Sequence, residues 1–307
     1  MKRQEFVRRV CRGVLSAVAC VAMATGAQAE TKDVDYLMLW GFRYVGVDGH
    51  FGGDDRYAGQ ERKTAKGCER ITTTTTTLKD DGWYYVEGHV ELDHGLVLEG
   101  EVGIILMNGS RLVIRAKDNT PGIAVRYGAT KSDELVIYGQ EYEPALERGT
   151  LEVYGGKNAA GIGGLCEKSH SCHCGKVYIY GGHIIAHGGE NAAGIGGSHF
   201  DAEYSGYGPE YYDQSGGHVE AFGGRYASGV GAARYGTKSC RTSWAMNMFF
   251  VRGGVLEATG GEGRYAIGAY SIAASHLGTN KANSGKRHRI GRQKDPCRRF
   301  ARVFHLS

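Results

Sequence analysis

Ala159-Ala160-Gly161-Ile162-Gly163-Gly164 decides the fold, because near-copies of it return with their flanks attached. They are Ala192-Ala193-Gly194-Ile195-Gly196-Gly197, Ala227-Ser228-Gly229-Val230-Gly231-Ala232 and, more loosely, Tyr265-Ala266-Ile267-Gly268-Ala269. The branched residue marks steps of 33, 35 and 37 residues (Ile162, Ile195, Val230, Ile267). A period of that size belongs to an array of stacked units. Short runs ending in Gly-Gly precede most of the cores: Leu151-Glu152-Val153-Tyr154-Gly155-Gly156, His183-Ile184-Ile185-Ala186-His187-Gly188-Gly189, His218-Val219-Glu220-Ala221-Phe222-Gly223-Gly224 and Val255-Leu256-Glu257-Ala258-Thr259-Gly260-Gly261. They alternate with period two and are too short for helices, so they read as strands with glycine corners.

One such unit cannot cover its own apolar face, so its neighbours must do so. Equivalent residues then stack into ladders, with small alanines beside them in a narrow interior. The expected fold is all-β, a right-handed parallel β-helix; the handedness follows the general preference of crossover connections. A flexible glycine-rich linker is the competing reading, and the regular aliphatic and aromatic residues oppose it. Collagen is excluded, since the 50 glycines do not fall at every third position.

The expected organisation has four parts. Residues 1–29 read as a signal peptide: Lys2, Arg3, Arg8 and Arg9, an apolar run from Val14 to Ala24, then Ala27-Gln28-Ala29 as a small-x-small cleavage site. Residues 30–82 read as a loop-rich lead-in whose run Thr72 to Thr77 forms a strand. Residues 83–277 hold the repeats, including the alternating runs from Trp83 to Gln140. Residues 278–307 form a basic, disordered tail, with Lys281, Lys286, Arg287, Arg289, Arg292, Lys294, Arg298, Arg299 and Arg302 against Asp295. No transmembrane helix is expected, and the product is placed as secreted, periplasmic or on a bacterial cell surface.

Six cysteines remain after the leader, Cys68, Cys166, Cys172, Cys174, Cys240 and Cys297, and an oxidising compartment makes all of them disulfide candidates with open connectivity.

The segments Gly82-Trp83-Tyr84-Tyr85-Val86-Glu87-Gly88-His89-Val90, Val102-Gly103-Ile104-Ile105-Leu106-Met107-Asn108-Gly109 and Leu135-Val136-Ile137-Tyr138-Gly139-Gln140, followed by the repeats, resemble secreted bacterial proteins with GG-x-[IV]-x-A-x-GG-x-x-A-A-G-I-G-G units. The resemblance covers roughly residues 82–270. It implies a surface or adhesin-like protein, in some members loosely carbohydrate-binding, and brings no catalytic residues.

The candidate ligand site is the insert between the second and third repeats. Asp201, Glu203, Tyr204, Tyr207, Tyr211, Tyr212 and Asp213 mix aromatic rings with acids, as glycan binding requires: ring planes for the apolar faces of sugars, carboxylates for their hydroxyls. The competing reading has the tyrosines packed as a flank. The loop Cys166-Glu167-Lys168-Ser169-His170-Ser171-Cys172-His173-Cys174 offers thiols and imidazoles (Cys166, His170, Cys172, His173, Cys174) for zinc, but export favours a disulfide staple there. Repeat-borne calcium lacks aspartates in the core motif. A phosphate loop fails because Thr237 stands where lysine is needed, and neither H-E-x-x-H nor G-x-S-x-G occurs. Glu152, Glu220 and Glu257 alternate on repeat strands and would form an outward row, usable by a polysaccharide lyase or hydrolase or serving solubility alone.

The expected function is therefore glycan or polysaccharide binding without a cofactor. Polysaccharide cleavage and a ligand-free structural role are the alternatives. Nucleic acid would engage only non-specifically, through the tail.

Overall fold

A computed structural model describes residues 30–40, 44–45, 51–52, 59–128, 130–140, 147–166, 172–199, 206–234, 248–262, 264, 266–268 and 302–304. Residues 32–307 form one compact unit, which holds every described strand residue except Thr31. The described residues are all-β and contain no helix.

Three sheets carry the chain. The first runs, in spatial order, Thr31–Trp40, Gly59–Arg70, Gly82–Val86, Glu101–Leu106, Glu134–Gly139, Cys174–Ile179, Pro209–Gln214, Met248–Val251. The second runs His89–Leu92, Arg111–Arg115, Thr150–Tyr154, His183–His187, His218–Phe222, Val255–Thr259 and then Arg302–Phe304. The third is built from Thr77–Lys79, Leu96–Glu99 and the two-residue strands Ile123–Ala124, Ile162–Gly163, Ile195–Gly196 and Val230–Gly231. From Gly82 the chain visits first, second and third sheet in turn and begins again, so each circuit lays one strand on each sheet, parallel to the strand before it.

Register makes the repeats into ladders. Leu96, Ile123, Ile162, Ile195 and Val230 are aligned partners along the third sheet, and a bridge adds Ile267. In the second sheet Leu151 aligns with Ile184, Val219 and Leu256, and in the first Val102 aligns with Leu135, Val177 and Tyr212. These inward residues from all three sheets form one core, and Ile162, Ile195, Ile184 and Ile104 are fully buried in it. Each buried branched side chain contributes about 2 kcal/mol by leaving water.

In three of the two-residue strands of the third sheet the second residue, Gly163, Gly196 or Gly231, is a glycine in a conformation that L side chains avoid. Gly196 has φ +142°, and a Cβ there would lie 1.9 Å from the carbonyl oxygen of Gly231 in the next circuit. The alanines and glycines of the motif thus let successive circuits meet backbone to backbone. An asparagine row runs beside them: Asn158 donates to Asn119 at 3.0 Å, Asn191 donates to Asn158 at 2.6 Å, and Arg234 donates to Asn191 at 3.2 Å. This row escaped the sequence reading, although Asn158 and Asn191 immediately precede the two best copies of the motif.

The lead-in differs from its expected form. It holds the two longest strands, Thr31–Trp40 and Gly59–Arg70, at one edge of the first sheet. The threonine run is mostly a turn: Thr75 N–H donates to Thr72 O at 3.0 Å, and only Thr77 opens the short strand Thr77–Lys79. Thr–Thr hydroxyl contacts such as Thr72–Thr74 at 3.1 Å give the run a local alternative to a sheet ladder. Val34, Tyr36, Ala65 and Cys68 from these two strands pack with Tyr85, Ile105 and Tyr138 in a second apolar cluster. Tyr36 lies 4.5 Å from Tyr138 and 5.1 Å from Trp83, ring centre to ring centre. The lead-in therefore covers the outward face of the first sheet's early strands. Of the tail, Arg302–Phe304 forms an antiparallel strand beside Val255–Thr259, and the rest of it lies outside the described residues. No described helix is long and apolar enough to cross a membrane.

Candidate functional site

Beyond the lead-in's cover, the outward face of the first sheet carries a column of rings. Parallel register aligns Tyr178 with Asp213 and Phe250, and diagonal neighbours bring Tyr178 and Tyr211 to 5.2 Å and Tyr211 and Phe250 to 5.5 Å. The Asp213 carboxylate accepts from Arg252 Nε at 2.9 Å and from the Tyr211 hydroxyl at 3.4 Å, while the Arg252 guanidinium sits 4.8 Å over the Phe250 ring. Asp213 and Arg252 keep only 10% and 21% of their side-chain surface exposed, which makes them a built pair rather than a loose surface contact. Burial, then the Asp213 charge, raises the Tyr211 phenol above its ordinary value, so the hydroxyl stays protonated and able to donate. Met248 continues the column, about half exposed at 48%.

A second column lies at the corner where strands enter this sheet. His173 stacks on Tyr207 at 4.2 Å and 7°, and Tyr127 meets His173 edge-on at 5.8 Å. The Tyr207 N–H donates to His173 Nδ1 at 2.9 Å, which leaves the imidazole proton on Nε2. Burial lowers the His173 pKa, keeping that ring neutral. Four residues of extended strand, roughly 13 Å, separate Tyr207 from Tyr211.

The expected ligand residues divide. Tyr211 and Asp213 meet on this face, and Tyr207 stands in the separate column with His173. Tyr212 does neither, because strand alternation turns it inward: it is fully buried, its ring stacks on Phe249 at 5.0 Å and its hydroxyl donates to Gln214 Oε1 at 2.9 Å. Asp201, Glu203 and Tyr204 lie outside the described residues. Tyr178, Phe250, Arg252 and His173 were missed, although Tyr178 to Tyr211 is the same 33-residue step as Ile162 to Ile195.

Among its described residues, the thiol–imidazole loop does not assemble a metal centre. Cys166 and Cys172 are joined in a disulfide, Cys174 is a free thiol buried in the core, and His173 is engaged with Tyr207; His170 lies outside the described residues. Of the other disulfide candidates, Cys68 is a buried free thiol, and Cys240 and Cys297 lie outside the described residues.

The expected outward row of acids forms only in part: Glu220 and Glu257 are aligned partners on the second sheet, while Ile185 separates them from Glu152, which is buried. Beside it runs a stacked row: Arg115 lies over Tyr154 at 4.3 Å, Tyr154 meets His187 at 4.5 Å and 3°, and His187 meets Phe222 at 4.8 Å and 10°. Glu152 accepts short hydrogen bonds from the Tyr154 hydroxyl and the Arg111 guanidinium, and these hold its carboxyl below the ordinary carboxylate range. A depressed native pKa gives stability that is complete above the unfolded carboxylate pKa and is lost as pH falls through the native value. Glu152→Gln is therefore expected to cost about 1.5 kcal/mol at neutral pH and almost nothing in acid. Urea midpoints of the two proteins across the acid range check this; a difference that persists at low pH would assign the loss to packing.

No family model, curated protein or solved structure matches the chain.

Proposed function

We propose that this is an exported, adhesin-like protein that binds a polysaccharide or host glycan along the outward face of the first sheet. Its three-sheet circuits are read as closing into a right-handed parallel β-helix. Support for the β-helix comes from the cyclic visiting of three parallel sheets and from the general handedness of crossover connections. The leader-like first 29 residues and the Cys166–Cys172 disulfide support export.

The observation that carries the binding reading is the column Tyr178, Tyr211 and Phe250 with its Asp213–Arg252 pair, part-buried on the outward face of the first sheet. Its rings recur once per strand, at 5.2 and 5.5 Å. Tyr178 and Tyr211 stack at 29°, and Tyr211 and Phe250 are tilted at 43°, so the ring faces are turned largely toward one another. Recognition would then run chiefly through phenolic hydroxyls and the ion pair, with less ring-face stacking than the sequence implies. A long, shallow column of this kind suits an extended polymer rather than a small ligand, which favours an enclosed pocket.

A glycan array with the full chain tests the reading. Tyr211→Phe keeps the stack and removes the hydroxyl, and it is expected to weaken any polysaccharide hit about tenfold, close to 1.4 kcal/mol. Unchanged affinity in Tyr178→Phe/Tyr211→Phe would remove this face from recognition, and release of soluble oligosaccharide would replace binding with cleavage.

A further inference from the structure

On the second sheet, strand pairing places His183 directly against His218, and Glu220 two residues along the same strand as His218. The imidazoles stack at 4.7 Å and 15°. His183 Nε2 lies 2.8 Å from Glu220 Oε1, and the ligand atoms of His183, His218 and Glu220 all fall within 4.8 Å of one another. His218 Nε2 is buried and has no hydrogen-bond partner; Glu257 Oε1 stands 3.7 Å away. A buried imidazole nitrogen without a partner is costly, so its retention beside a second imidazole and a carboxylate asks for an explanation.

We propose that His183, His218 and Glu220 bind one divalent transition-metal ion, zinc foremost, on the outward face of the second sheet. Two neutral imidazole nitrogens and one carboxylate oxygen are a three-ligand set that zinc accepts with water in the remaining position. Bonds of about 2.0–2.1 Å require the two rings to tilt toward a common point, within reach of these part-buried side chains. The ion would sit between His183 Nε2 and Glu220 Oε1 in place of the proton they now share, and would give His218 Nε2 the partner it lacks. Glu257 stands in the acid row just beyond, where it adds negative charge beside the cation. Hard cations such as calcium and magnesium are disfavoured, because two of the three donors are nitrogen.

The site differs from the thiol–imidazole loop in sequence and in sheet, so it stands apart from the failed zinc reading there. It is also independent of the glycan-binding face proposed on the first sheet.

Isothermal titration of the chelator-treated full chain with zinc chloride tests it. The expected result is a site that weakens at least tenfold in His183→Ala/His218→Ala and also weakens in Glu220→Gln, while Cys240→Ser/Cys297→Ser leaves it intact. Imidazole nitrogen NMR on the unmutated chain gives a second readout that needs no variant to fold: zinc should shift the His183 and His218 Nε2 resonances and leave those of His89 and His94 in place. Zinc binding unchanged in the double histidine variant would overturn the proposal. So would an absence of zinc binding at micromolar concentration, or zinc shifts confined to other histidines.

Discussion

Gly196→Val is expected to prevent folding of the repeat region or to leave it open between the circuits that carry Ile195 and Val230. Two costs combine at this residue. The backbone φ of +142° is one that a branched L side chain rarely adopts, and the added Cβ would lie 1.9 Å from the Gly231 carbonyl oxygen, with the Gly231 carbonyl carbon and nitrogen also within reach. That oxygen is not the end of a movable side chain: it accepts from Gly197 N–H at 2.9 Å and belongs to the parallel ladder itself. Strain and overpacking together cost on the order of 4 kcal/mol, a large part of the roughly 5–15 kcal/mol that holds a typical domain. In an array stabilised by nearest-neighbour contacts the damage concentrates at one interface, so proteolysis should cut near residues 196–231 before it cuts elsewhere.

Gly88→Ala is the control. Gly88 also has positive φ, +70°, but nothing lies within 4 Å of its Cβ, so only the left-handed penalty of about 1–2 kcal/mol applies. Chemical denaturation and circular dichroism of both variants decide the matter. If Gly196→Val proved as mild as Gly88→Ala, the close backbone approach between circuits would not exist in solution.

The same contrast explains what could be read from the chain. The motif of Ile162, Ile195 and Val230 announces itself because core packing, small neighbours and backbone approach all constrain the same few positions. Strand parity on the second sheet was equally plain, since Ile184/Ala186 and Val219/Ala221 are buried while His183/His187 and His218/Phe222 face outward. The lead-in was illegible for the opposite reason. Gly59–Arg70 buries little beyond Ala65 and Cys68 and is otherwise polar, so its sequence carries no strand period. Its role as a cover comes from what it lies upon, the rings Trp83, Tyr85 and Tyr138, which belong to other strands. The aromatic insert misled because four tyrosines close in sequence were treated as one surface, while a period of two places neighbouring residues on opposite faces. The histidine pair was visible as equivalent positions of two repeats, but its proximity depends on parallel register, which a single strand does not reveal.

Tyr211 and Tyr212 turn that parity into a measurement. Tyr212→Ala is expected to destabilise the protein by about 3–5 kcal/mol, the range for deleting a large buried aromatic. The ring is fully buried among the core residues, aligned with Val177 on one side and Phe249 on the other, and stacked on the latter at 13°. Its hydroxyl donates to Gln214 Oε1, and the Gln214 amide donates in turn to Val255 O at 2.9 Å, so the side chain links the first sheet to the second. Tyr212→Phe retains the stack, removes one hydrogen bond and should cost about 1 kcal/mol. Tyr211→Ala loses two outward ring contacts and little buried area, so its loss should stay near about 1 kcal/mol, and the effect should appear in ligand binding instead. Denaturant midpoints with unchanged slope order the three variants. If Tyr211→Ala were the more destabilising of the two alanine variants, the strand Pro209–Gln214 would be out of register by one residue, which would move every side chain of that strand to the other face.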